Sequence, residues 1–241
     1  MKAWHLILVS ILVMAILPAC AAELGKTTVD LDGRRVSSEE TNLGNFIADA
    51  VRNASSADIA VLYPMAFTGN ALIPKGVVDD QAIRGVLAFP TSNVVTLKMS
   101  PPQLRNMMGR ALAKYPESNM AFLQFSGMQV ALDPTKPSAT RVTEIKVNGK
   151  VVDFFDTKTT YTVAMPKELA NGAAGYFALF NEIQNTRKVT EITLLDAVSK
   201  EFAANQKVTT KSIEPEDPTI SPKVDGRLKD TSKKEAPATA K

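Results

Sequence analysis

Along this chain the spacing of apolar positions changes from helical to strand-like and back, and each change marks an element. From Thr41 to Ala54 the apolar residues are Leu43, Phe46, Ile47, Ala50, Val51 and Ala54. That i, i+3, i+4, i+7 spacing predicts an amphipathic helix. Asp58-Ile59-Ala60-Val61-Leu62-Tyr63 is a short, nearly continuous apolar run and predicts a buried strand. The next segment, to Gly76, holds Pro64, Gly69, Asn70 and Pro74 and reads as a loop. A short helix over Asp79–Leu87 and a strand over Val94–Met99 follow. Ser100-Pro101-Pro102-Gln103 then announces a helix start, with Ser100 as cap, Pro101 in the first turn and Gln103 closing a capping box. Leu104, Met107, Met108, Ala111 and Leu112 form its apolar stripe, and these methionines are assigned to core packing rather than to a metal.

Further on, Met128-Gln129-Val130-Ala131-Leu132 alternates as a strand and turns at Asp133-Pro134. Val142, Ile145 and Val147 lead into Asn148-Gly149, a strong two-residue hairpin signal. Tyr161–Met165 reads as a strand, and Ile192, Leu195, Val198 and Phe202 mark a late helix. A first strand is expected around Val29-Asp30-Leu31, inside a polar tether over residues 21–38. Residues 229–241, rich in Lys, Ala, Pro and Thr, lack apolar periodicity and are expected to be a disordered polar tail. The pattern is one α+β domain over residues 39–228, a mixed sheet with packed helices and no internal repeat.

The N-terminus changes the picture most. Lys2 precedes the apolar run Leu6–Leu17, and small residues follow, the pattern of a secretory signal peptide over residues 1–20. Leu17-Pro18-Ala19-Cys20 resembles a bacterial lipobox in which Cys20 becomes the acylated N-terminus, although Pro18 is unusual there. Cleavage after Ala21 is the rival reading, since Ala19-Cys20-Ala21 also fits the small-x-small rule. Both predict an exported chain, either a lipoprotein of the cell envelope or periplasm or a secreted soluble protein. A lipid anchor at Cys20 is the membrane contact expected.

Composition narrows the chemistry. The chain has 241 residues, 45% apolar and 22% charged, enough for a core without disulfides. One Cys excludes an intrachain disulfide framework and a multi-cysteine zinc site. The one His, His5, lies inside the signal segment, so a two-histidine metal site is excluded. A net charge of +3, with no basic stripe interleaved with aromatics, argues against a nucleic-acid partner. No cofactor or metal site is expected.

Glu40-Thr41-Asn42-Leu43-Gly44-Asn45-Phe46-Ile47-Ala48-Asp49-Ala50 resembles the opening of the C-terminal domain of the 5′-nucleotidase family. Matching runs follow in family order: Asp58-Ile59-Ala60, Leu87-Ala88-Phe89, Phe122-Leu123-Gln124-Phe125-Ser126-Gly127, Asp133-Pro134 with Arg141-Val142, Asn148-Gly149-Lys150, Leu169–Tyr176 and Asp225-Gly226-Arg227-Leu228. The resemblance implies that family's fold and a nucleoside pocket in which two aromatics hold the base. It places Phe89 and Tyr176 as that pair, with Asn70 as a candidate polar contact on the following loop. In the family a separate metallophosphoesterase domain supplies the metals and the catalytic His-Asp pair, and a chain whose one His lies in its leader lacks that equipment.

The family's polar contacts are altered. Its glycine-rich loop with asparagine and arginine is Leu62–Asn70 here, Glu39 stands where an arginine often precedes the opening motif, and Ala174 replaces an aspartate. An arginine offers a bidentate phosphate contact that Glu39 cannot supply. The expectation is therefore an exported, non-catalytic binding or accessory module with a degenerate pocket for a nucleoside or another aromatic small molecule. The alternative is the substrate-binding half of a split nucleotidase working with a separate metallophosphoesterase subunit. An independent hydrolase using Asp49, Asp58, Asp79 or Asp80 is disfavoured, because no nucleophile–base pair is identifiable. Tyr63, Met65 and Phe67 are candidate protein contacts, as exposed aromatics and Met are enriched in interface cores. The same side chains can instead fill the pocket from above.

Overall fold

The computed structural model describes residues 22–205 and 218–232. The segments expected to be a signal peptide and a lipobox with Cys20, and most of the expected polar tail, lie outside the described residues. The first strands are β1 (Glu23–Thr27), β2 (Leu31–Asp32), β3 (Ile59–Leu62), β4 (Leu72–Ile73), β5 (Gly76–Asp79) and β6 (Asn93–Met99). Next come β7 (Gln124–Ser126), β8 (Met128–Leu132), β9 (Val142–Val147) and β10 (Lys150–Val151). The last are β11 (Tyr161–Pro166), β12 (Lys188–Thr193), β13 (Thr219–Ile220) and β14 (Leu228–Asp230). The helices are α1 (Asn42–Ser55), α2 (Asp80–Val86), α3 (Pro101–Ala111), α4 (Lys167–Ala170), α5 (Phe177–Asn181) and α6 (Leu194–Ala204).

The central sheet has the order β12-β6-β11-β3-β7. It is mixed, because β11 runs parallel to β3 while the other neighbours are antiparallel. Strand β3 is buried along its whole length, as its apolar run predicts for a strand covered on both faces. Helix α1 packs on this sheet and against α6, where Phe46 meets Phe202 edge-to-face at 5.4 Å. Its apolar stripe is the buried one, and Thr41 caps it by accepting from Gly44 N at 3.0 Å. Met107 and Met108 on α3 are fully buried, in line with core packing.

A second sheet, β10-β9-β8-β14, carries the predicted hairpin. Asn148 and Gly149 both adopt positive φ, 50° and 75°, as a two-residue hairpin turn demands. At the start of α3, Gln103 Oε1 accepts from Ser100 N at 2.9 Å and from Ser100 Oγ at 3.1 Å. The capping box that the sequence predicts is thus present at this helix start.

Both chain ends differ from the sequence reading. The first strand is β1, earlier than Val29–Leu31, and it pairs with β5 and β13. A strand does begin at Leu31, as β2, so the segment read as tether and first strand holds β1 in addition to the one strand expected. At the other end β14 pairs parallel with β8 through Asp230, and Thr231 N donates to Leu132 O, so ordered structure runs past Leu228.

Candidate ligand site

Phe89 follows α2 on a short turn held from several sides. Leu87 bridges to Phe67, and Ala88 N donates to Ala66 O. Ser92 N donates to Phe89 O, while the first turn of α6 donates back from Leu194 N to Ser92 O and from Leu195 N to Pro90 O. A turn pinned on both sides can hold its side chain outward, and Phe89 is 43% exposed.

Beside the ring lies an open cleft of about 280 Å³, lined by Phe89, Pro90, Ser92, Asn93, Lys167 and Glu168 among others. Glu168 enters from the start of α4, just beyond the central strand β11. Its carboxylate accepts from the buried Ser92 hydroxyl at 2.5 Å. That bond fixes one oxygen and leaves acceptor capacity on the carboxylate. Tyr63 lies near enough to feel the charge: burial, and then Glu168, push its phenol up to about 12. The cleft thus combines one aromatic face, one oriented carboxylate and one lysine. Such a set can stack a flat ring and accept hydrogen bonds from its edge.

The other expected site residues are elsewhere. Tyr176 is fully buried, stacks on Phe180 at 5.3 Å, and donates its hydroxyl to Ala121 O at 2.6 Å. Burial pushes its phenol far above the ordinary range despite Arg110 nearby. A ring with no exposed surface cannot stack a base, so the Phe89–Tyr176 pair expected from the resemblance is not assembled. Asn70 sits exposed in a turn and does not line the Phe89 cleft. Tyr63 and Phe67 are buried, at 2% and 5%, and of that loop's three candidates Met65 alone is exposed. The loop fills the molecule from above instead of presenting an apolar interface. Glu39 pairs with Arg35 at 2.6 Å on the surface.

Glu168 was missed in the sequence. A carboxylate three residues after a strand usually reads as a solvated helix start, and only the Ser92 contact, 76 residues away, gives it a role. Asp49, named above among the carboxylates of a disfavoured hydrolase, serves the fold instead. It accepts from Ser126 Oγ at 2.6 Å and takes a two-pronged contact from Arg227 at 2.9 and 2.7 Å.

That contact belongs to a wider joint. Glu40 accepts from Asn45 Nδ2, Asp225 N and Leu228 N. Gln124 accepts from Thr41 N and donates to Val36 O and Glu39 O. The opening motif, the Phe122–Gly127 run and the Asp225–Leu228 run therefore meet at one place and tie β7 and β14 to α1. These signature residues bond to protein groups, so they mark the fold and not the ligand. Among the described residues no group of three His, Cys, Asp or Glu could hold a metal ion.

Comparison with known proteins agrees with the architecture. A profile of the 5′-nucleotidase C-terminal domain matches residues 23–182. A trifunctional nucleotide phosphoesterase, YfkN, of Bacillus subtilis is 28% identical over 217 residues, covering 86% of this chain and 14% of the relative. Human 5′-nucleotidase is 29% identical over 180 residues, covering 67% and 31%. In three dimensions the 5′-nucleotidase precursor of Thermus thermophilus superposes with a TM-score of 0.73 at 23% identity, over 88% of this chain and 40% of that one. The NAD nucleotidase of Haemophilus influenzae gives 0.68 at 16% identity, covering 87% and 38%. The chain spans less than half the length of each of these relatives. With the profile spanning most of the described residues and the same fold recovered, the chain belongs to the 5′-nucleotidase C-terminal domain family.

Proposed function

We propose that this protein is an exported binding or accessory module of its family, non-catalytic by itself, that takes a nucleoside or another aromatic small molecule against Phe89. The observation that carries the reading is the exposed Phe89 ring beside the Ser92-held Glu168 carboxylate. With Tyr176 buried, the ligand is stacked on one face only, and Glu168 reads donors on its edge. Export, with Cys20 lipidated at the cell envelope or with the leader removed and the protein soluble, follows from the leader pattern in the sequence.

Calorimetric titration with adenosine tests this. The wild-type chain is expected to show saturable binding. Phe89→Ala is expected to remove one stacking contact, about 1–3 kcal/mol, while leaving the melting temperature within a degree or so, because the ring is exposed. Equal binding by both proteins would overturn the assignment of the site. A second reading, the substrate-binding half of a two-chain nucleotidase, is favoured by family membership together with the same exposed ring. Phosphate release from AMP only when a separate metallophosphoesterase is added, and lost in Phe89→Ala, would establish it.

A further inference from the structure

A larger cleft, about 500 Å³, opens on the outer face of α3, away from Phe89. Its lining carries Arg105, Arg110 and Lys114, the amides Asn106 and Asn119, and no carboxylate. Small residues, Gly109, Ala113 and Ala139 among them, complete the lining. On an α-helix Arg105 and Arg110 stand about 140° apart around the axis and about 7.5 Å apart along it, with Gly109 between them. The two side chains therefore leave the helix in different directions instead of sharing one spot.

Both are held from behind. Arg105 lies over the Phe154 ring at 4.9 Å, and no acceptor among the described residues meets its nitrogens; its Nε is shut away from solvent and unbonded. Arg110 donates to Ala174 O at 2.6 and 3.2 Å and lies over the buried Tyr176 ring at 5.3 Å. The fit behind it is tight: a Cβ on Gly175, which has φ +77°, would come within 1.9 Å of Arg110 Nη2. None of the three cations forms an ion pair with a carboxylate among the described residues, whereas Arg34, Arg35, Arg84 and Arg227 all do. Two arginines held beside a concavity that a lysine also lines, with no anion of the protein to answer them, are prepared for an anion from outside.

We propose that this cleft binds a small polyanion carrying phosphate or carboxylate groups, held by Arg105, Arg110 and Lys114 of its lining. The absence of aromatic rings in the lining argues for a compact anion over a nucleic-acid strand, which would need stacking platforms. The site is independent of the Phe89 cleft.

Titration of the full chain with inorganic pyrophosphate, and separately with citrate, at low ionic strength is the test. One-to-one saturable binding is expected, weakening as salt rises. Arg105→Gln and Lys114→Gln are each expected to weaken it at least tenfold. Neither side chain bonds to the backbone; Lys114→Gln should melt like the wild type, and Arg105→Gln should lose only its contact with Phe154 and stay folded at the titration temperature. Phe89→Ala and the distant Lys75→Gln should bind as the wild type does. No saturable binding of either anion would overturn the proposal. So would binding that Arg105→Gln and Lys114→Gln retain, or a Lys75→Gln loss equal to theirs, which would show a mere net-charge effect. Sedimentation with phosphatidylglycerol vesicles, lost in the same two variants but without pyrophosphate or citrate binding, would replace the small anion by a lipid headgroup and overturn it too.

Discussion

Replacing Tyr176 by Ala removes a ring that has no exposed surface, stacks on Phe180 and anchors to Ala121. A cavity of that size in a close-packed core costs roughly 3–5 kcal/mol, so Tyr176→Ala should shift the denaturation midpoint strongly. Tyr176→Phe keeps the ring and strands the buried Ala121 carbonyl, a loss of about 1–2 kcal/mol. Phe89→Ala, by contrast, should act on ligand binding and not on the midpoint. Chemical denaturation of the three variants separates the two aromatics, which the sequence treats alike. Residue type and motif position were legible; exposure was not. It depends on Arg110, Phe180 and Ala121 around one ring and on the pinned turn around the other.

At the scale of the element, α1 shows both what sequence can reach and where it stops. Its stripe and its length follow from local spacing, and the structure adds the cap, Thr41 accepting from Gly44 N. What surrounds the cap does not follow. Gln124, 83 residues away, accepts from Thr41 N at 3.0 Å, and its side chain lies against Gly44. A Cβ built on Gly44 would come within 2.2 Å of Gln124 Oε1. Gly44→Ala should therefore cost about 1–3 kcal/mol, the range for overpacking in a filled site, although Ala is the better helix former by about 1 kcal/mol. A thermal melt checks the sign, since a helix governed by propensity alone would be stabilised. Glu168 was unreadable for the same reason as Gln124: its partner, Ser92, comes from another part of the chain.

For the whole molecule, the decisive joint closes the end of the described chain onto its beginning. Arg227, with 13% of its side chain exposed, meets Asp49 at 2.7 Å and Asp225 at 2.9 Å. It also donates to Phe125 O, so one side chain links α1, β7 and the approach to β14. Breaking a fully buried pair costs roughly 3–5 kcal/mol. Asp49 retains 37% exposure, so the loss for Arg227→Ala is smaller, about 2–3 kcal/mol. Hydrogen exchange should show Leu228–Asp230 losing protection before the central sheet. The joint also carries a pH signature. Burial alone would raise the Asp225 carboxyl, but the hydrogen bond and charge of Arg227 outweigh it and hold it below the ordinary carboxylate value. A carboxyl lowered in the folded state adds stability above its unfolded value, about 4. That contribution disappears as pH falls below about 4 and through the folded value. Arg227 stays charged throughout, so Asp225 and not the arginine sets this part of the acid limb. Asp225→Asn should lower stability at neutral pH and flatten its decline on acidification. Urea midpoints for wild type and Asp225→Asn should therefore converge toward acid; a gap that stays constant down to pH values well below 4 would show that the ion pair does not govern the joint.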